Sequence, residues 1–217
     1  VARSKLDPAL IEDLIVGCAF PEGEQGLNVA RLIGLRAGLP ISVAGLTVNR
    51  FCGSSMQSIH IAAGSIQLGA GEAFICAGVE SMSRIPMSGF NPMPNPDLAE
   101  QMPGAYMGMG QTAENVARQY KITRKDQEEF AVASHQRAAA ARATGKLADE
   151  ITAVGGVTQD GGIRPETTEE KLAELKLAFD DKGSVTAGTS SPLTDGAAAT
   201  LVTSEEFARM HKLPILA

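Results

Sequence analysis

Apolar residues fall in short blocks along the chain, and the period of the blocks changes from place to place. The run DLIVGCAF at 13–20 is almost continuously apolar and predicts a buried strand. NVARLIGLRA at 28–37 predicts a helix, closed by Gly38 with Pro40 just beyond. VAGLTVN at 43–49 predicts a second strand, SSMQSIHIAAGSIQL at 54–68 a helix, and AFICAGV at 73–79 a third strand. Strands that alternate with helices imply an α/β layer with parallel pairing. In the helix over 54–68, Met56, Ile59, Ile61, Ala62, Ala63, Ile66 and Leu68 cover nearly the whole circumference. A helix apolar all round is a buried one, so this helix is expected to lie sandwiched between two layers.

The texture changes between Glu80 and Gln111, where Pro86, Pro92, Pro94, Pro96 and Pro103 interrupt regular structure and Met is frequent. An excursion of that length in a compact chain is usually functional or a lid. Helical periodicity returns with Ala113, Val116, Ala117 and Tyr120 on one face. Thr123 and Asp126 have the spacing of a capping box for a long helix reaching about Thr144, with Gly145 to close it. A glycine-rich loop at 155–162 leads to a short helix near 168–175. The α/β texture resumes with a strand at 197–203, a helix at 204–211 and an expected strand at 213–217. There is no internal repeat and no low-complexity segment.

Composition narrows the class. The 217 residues can bury a real core, and hydrophobic residues at 44% with charged residues at 20% are ordinary for a globular protein. A net charge of -6 argues against a general nucleic-acid binder, which needs a basic face. No apolar run approaches the roughly 20 residues of a membrane helix, and no signal-peptide pattern follows Val1. Cytoplasm is the expected compartment, with a removed mitochondrial or peroxisomal targeting segment as the alternative. Cys18, Cys52 and Cys76 stand far apart, without CxxC or metal-ligand spacing, which suits a reducing compartment.

Cys52 is the candidate nucleophile. It sits in VNRFCGSSMQ, between the exit of a strand and the entrance of a helix. Unpaired amides and the positive end of the helix dipole at such a place favour thiolate, the reactive form of cysteine. The small residues that follow leave room for a ligand to meet the backbone, and the same amides can hold an oxyanion. The competing reading is a small buried core residue. Cys18 and Cys76, within apolar strand runs, read as core. A nucleophilic cysteine needs a base. His60 lies eight residues on, about 12 Å along the helix axis, too far to serve. His135 reads as a solvated helix residue and His211 as a helix-end charge. The LGAGEAF segment lacks the third glycine of a dinucleotide fingerprint and runs from helix to strand, the wrong order. No Walker, GxSxG or HExxH motif is present.

At VNRFCGSSMQ the sequence resembles the nucleophile region of the thiolases, and six further blocks agree in order around it: GEQGLNVAR, GVESMSRIPM, MGQTAENVA, KDQEEFAVASHQRA, GGIRPETTEEKLAELKLAF and TAGTSSPLTDGAAA. The resemblance covers essentially the whole chain. SSM, IRPETT and TAGTSS are closer to degradative 3-ketoacyl-CoA thiolases than to biosynthetic acetoacetyl-CoA thiolases. It implies a layered α-β-α domain with a buried nucleophile helix and an inserted, mostly helical loop domain. The domain bounds it implies are 1–80 and 191–217 for the α/β part and 81–190 for the loop part. The implied reaction is thiolytic cleavage in β-oxidation: Cys52 takes an acyl group from a 3-ketoacyl-CoA, acetyl-CoA leaves, and a second CoA accepts the acyl group. Coenzyme A is then a substrate, and no metal or redox cofactor is implied. Met109, Arg164, Phe179, Ser190 and Ser191 match CoA-contacting positions of the family. Read locally, Phe179 is equally a core residue, Arg164 a solvated cation, and the two serines turn caps. Family members are homodimers or homotetramers that often join other fatty-acid oxidation subunits.

The sequence departs from the family pattern at both ends. A family member is nearly twice as long, and its NEAF segment, its GHP segment with the activating His and its CxGGG-like segment are not found here. The resemblance therefore implies a piece of a longer protein that does not turn over alone. Two other readings compete. A condensing enzyme of the ketoacyl-synthase type shares the fold and a Cys nucleophile, but lacks the loop insertion. A non-catalytic acyl-CoA or lipid binder needs no nucleophile, and the intact VNRFCGSSM weighs against it.

Overall fold

A computed structural model describes residues 2–217. The chain divides into two compact units, one running to Met93 and resuming at Leu193, the other spanning Pro94–Pro192.

The first unit is built on one four-stranded sheet in the order β2-β1-β3-β4. Strands β1 (Asp13–Gly17), β2 (Ala44–Val48) and β3 (Ala73–Ser81) are parallel, as the alternation with helices implies. The fourth, β4 (Asp195–Thr203), pairs antiparallel with β3 along its full length. Parallel pairing is therefore correct for three strands and not for β4, whose direction is set by the route along which the chain re-enters the unit.

Both faces of the sheet are covered, because successive strand side chains point to opposite sides. Ile15, Phe74, Cys76 and Val202 pack with Ala62 of helix α2 (Ser54–Gln67). Leu14, Val16, Ile75 and Ala77 pack with Ala30 of helix α1 (Val29–Arg36) on the other face. Phe207 of helix α7 (Glu205–Met210) joins Val43, Ile75 and Leu201 in the adjoining cluster. Asn28 and Ser204 cap the last two helices through their side-chain oxygens.

Two expectations need correction. Helix α2 is not enclosed: Ser54, Ser58 and Ala62 face the sheet and are buried, while Met56 is 52% exposed and Leu68 85% exposed. Its apolar circumference is covered on one side only. Small side chains make that covered side, since they let the helix lie close to the strands. The segment 213–217 forms no strand and continues irregularly from α7.

In the second unit, the Pro-rich excursion contains a short helix, α3 (Pro96–Gln101), capped by Asn95. Helix α4 (Met109–Tyr120) does not bury the apolar stripe its spacing suggested. Val116 and Tyr120 are exposed, and Glu114 and Ala117 are the buried residues. The Glu114 carboxylate accepts the amides of Ser184 (2.9 Å) and Val185 (2.9 Å), so its burial is compensated by hydrogen bonds. Helix α5 (Arg124–Ala143) opens with the full Thr123–Asp126 capping box. Arg124 donates to the carbonyls of Leu172, Ala173 and Leu175, closing the end of α6 (Glu169–Ala173).

Candidate active site

The sheet determines where Cys52 stands. Gly17 and Gly78 are register partners on β1 and β3. A Cβ at Gly17 would overlap the backbone of Ser54, and one at Gly78 would lie 2.8 Å from Ser55 Cβ. These two glycines let the first turn of α2 rest directly on the strands. Gly53 is the N-cap, and no side chain caps the helix there. Cys52 therefore precedes a helix whose leading amides carry no side-chain partner, at the positive end of the helix dipole. It is exposed and unbridged. Cys52 is thus not among the core residues described for this chain.

The turn before Cys52 is tightly stitched. Phe51 has φ of 45°, a left-handed conformation that a bulky residue adopts only when its surroundings hold it. Its amide donates to Asn49 Oδ1 (2.9 Å). Ser54 Oγ accepts the amide of Arg50 (2.8 Å) and donates to the Phe51 carbonyl (2.5 Å). The Gly53 amide donates to the Arg50 carbonyl (3.0 Å). Asn49 also reaches outward, its Nδ2 donating to the Ala19 carbonyl (2.9 Å).

Next to this turn lies a polar cluster among buried residues. Glu80, near the end of β3, accepts the amides of Ala19 (2.8 Å) and Phe20 (3.3 Å) and Gln25 Nε2 (2.9 Å). Buried Gln25 also donates to the Phe20 carbonyl (2.9 Å), and its Oε1 accepts the Ser81 amide. The thiol of Cys18 points to Glu80 Oε1 at 3.7 Å. Burial, and then the Glu80 charge, push the Cys18 thiol up to about 11. Burial pushes Cys76 up to about 11 as well. Both thiols are buried, as their places in apolar strand runs indicate.

Asn49, Ser54, Gln25 and Glu80 were not legible as site residues. Asn49 closes a strand run, and an Asn two residues before a left-handed position is an Asx-turn signal. Gln25 and Glu80 lie 55 positions apart, and only the fold joins them.

Of the histidines, His60 is exposed on α2, and His211 stacks on Phe207 with ring centroids 4.2 Å apart. His135 accepts the Arg164 amide at Nδ1 (3.2 Å). Among the described residues, no group of His, Cys, Asp and Glu could hold a metal ion.

The other predicted residues all belong to the second unit. Met109 begins α4 and is exposed. The half-exposed Phe179 ring lies against Gly110, in space that a Cβ would fill. Arg164 is exposed, its backbone fixed by His135 and by Thr167, whose Oγ1 donates to the Arg164 carbonyl (2.8 Å). Ser190 Oγ donates to the Thr186 carbonyl (2.8 Å), a turn cap, and Ser191 is exposed.

Comparison with known proteins gives this arrangement a context. The family model described as "Thiolase, N-terminal domain" matches residues 1–206. The 3-ketoacyl-CoA thiolase of Bacillus subtilis (strain 168) is 50% identical over 215 residues, covering 91% of this chain and 55% of that protein. The 3-ketoacyl-CoA thiolase of Shewanella loihica (strain ATCC BAA-1088 / PV-4) is 48% identical over 227 residues, covering 100% of this chain and 58% of that protein. The crystal structure of human mitochondrial 3-ketoacyl-CoA thiolase in complex with CoA matches with a TM-score of 0.86 at 32% identity. That match covers 100% of this chain and 59% of that one. The chain thus spans a little over half the length of the relatives it matches.

Proposed function

The chain belongs to the thiolase family, and from that premise we propose that it supplies the nucleophile part of a 3-ketoacyl-CoA thiolase, an acetyl-CoA C-acyltransferase of β-oxidation. The observation that carries this is an exposed Cys52 set ahead of an uncapped helix start, within a chain half identical to proteins of that name.

Cys52 attacks the 3-keto carbonyl, and negative charge gathers on its oxygen. The backbone amide of Cys52 is the proposed donor to that oxyanion. Collapse breaks the C2–C3 bond. Acetyl-CoA departs, and its C2 gains the proton lost by the thiol, leaving the remaining acyl group as a thioester on Cys52. The thiol of a second CoA then attacks this thioester, releases shortened acyl-CoA and returns the proton to Cys52.

The unit Pro94–Pro192 is the proposed CoA-binding part. Exposed, apolar Met109 and the Phe179 ring, which lies against Gly110, suit the pantetheine arm. The Arg164 guanidinium suits adenine or phosphate. Ser190 and Ser191 complete the proposed set. A homodimer or homotetramer and a cytoplasmic setting accompany this reading, as does association with other fatty-acid oxidation subunits. No helix among the described residues is long and apolar enough to cross a membrane.

The test is intact mass after incubation with acetyl-CoA or acetoacetyl-CoA. One acyl group is expected on the wild-type chain, on the peptide bearing Cys52, and none on Cys52→Ala. No acyl group on the wild-type chain, and none on a longer thiolase that carries the same Cys52 turn, while iodoacetamide still labels Cys52, would remove the acyl-transfer reading.

A further inference from the structure

Glu80 and Asn49 form one hydrogen-bonded path into the turn that bears Cys52. The path begins at the Glu80 carboxylate, which fixes the amides of Ala19 and Phe20 at the exit of β1. Gln25 supports it, donating to Glu80 Oε1 and to the Phe20 carbonyl at 2.9 Å each. The peptide carbonyl of Ala19 then accepts Asn49 Nδ2 at 2.9 Å. The other end of the same amide, Oδ1, accepts the amide of Phe51 at 2.9 Å. Phe51 is the left-handed residue immediately before Cys52.

Each link has a physical consequence. A left-handed conformation costs a bulky residue roughly 1 kcal/mol or more and persists only where other interactions hold it. The Asn49 bond to the Phe51 amide is one such hold, and it aligns that peptide. The bond to Ala19 fixes Asn49 itself, because a primary amide tied at both ends has one orientation. Glu80 orders Ala19 in turn. The β3 strand end is thus coupled to the nucleophile turn through side chains that lie outside the helix.

We propose that Asn49 is a positioning residue for Cys52, acting through Phe51, and that Glu80 orders the strand exit that orients Asn49. The proposal rests on the reading of Cys52 as the reacting thiol and adds to it the device that aims that thiol.

The experiment measures the rate of Cys52 alkylation by iodoacetamide on the 217-residue chain, with the site identified by peptide mass. Cys18 and Cys76 are buried and serve as internal controls for intact folding. Asn49→Ala removes both bonds of the amide, and its rate is expected to fall about five- to tenfold, the effect of losing roughly 1 kcal/mol of alignment. Asn49→Asp keeps the acceptor for the Phe51 amide and is expected to recover to within about threefold of wild type, a rescue that a purely structural role would not give. Glu80→Gln should slow the reaction by a smaller factor while Cys18 stays protected. Asn49→Ala reacting at the wild-type rate, with Cys18 and Cys76 protected, would overturn the proposal. If Asn49→Ala exposes Cys18 and Cys76, the Asp and Gln variants decide: wild-type rates in Glu80→Gln, or an Asn49→Asp rate reduced tenfold, would overturn it equally. Failure of acyl transfer in wild type would leave these alkylation rates readable, so the two readings fail separately.

Discussion

Three cysteines in one chain have two kinds of environment, and position explains the difference. Cys52 lies outside the sheet at a helix entrance, where solvent can reach it. Cys18 and Cys76 are held in the core, their thiols raised from 9.0 to about 11. For a thiol whose folded value lies above its unfolded value, the folded state keeps its proton longer. The contribution of these two thiols is therefore constant below about pH 9, where both states are protonated, and is lost as pH rises from 9 toward 11 and the unfolded chain ionises first. Denaturant midpoints measured over that range should fall, and Cys76→Ala should make the fall shallower. A midpoint independent of pH up to 11 would contradict these shifts. In the same range Cys52 should be the thiol that alkylates in the native chain.

At the level of elements, caps and close contacts set the boundaries. Helix α5 begins where it does because Thr123 Oγ1 and the Asp126 carboxylate each satisfy a backbone amide of the other residue. Thr123→Ala is expected to cost about 1 kcal/mol, read from denaturant unfolding with unchanged slope. The hydroxyl and amide of Thr123 hold the Asp126 carboxyl below its usual range. Its contribution is present above the ordinary carboxylate range and is lost as pH falls through the lowered value, so the α5 start should fray in acid. Helix α2 follows a different logic. Its seat on Gly17 and Gly78 fixes its first turn, and that contact, more than its apolar pattern, places Cys52.

Across the whole molecule, the two compact units meet the chain twice, at Met93–Pro94 and at Pro192–Leu193. Phe90, Met93 and Leu193 are all exposed beside those junctions. Limited proteolysis with chymotrypsin should therefore cut there first and release a protected fragment close to residues 94–192, identified by mass. Early cuts scattered through α4 and α5 would show that the second unit is not compact by itself. Local signals could find most of the elements here because each strand and helix carries its own period and its own cap. Thr123, with Asp126 three residues on, announces its helix in the sequence.

By itself the sequence determined the order of strands and helices, the capping box of α5 and the position of the candidate nucleophile between β2 and α2. All of these depend on residues within a few positions of one another. Relations across the chain were decided by tertiary structure. The antiparallel β4, the open outer face of α2 and the buried carboxylate of Glu114 each depend on what a distant segment places opposite them. The same holds for the Glu80–Gln25 pair and its link through Ala19 to Asn49. Spacing along a chain reports which way a side chain faces. It does not report which partner the fold brings to meet it, and hydrogen bonding at this site depends on the partner.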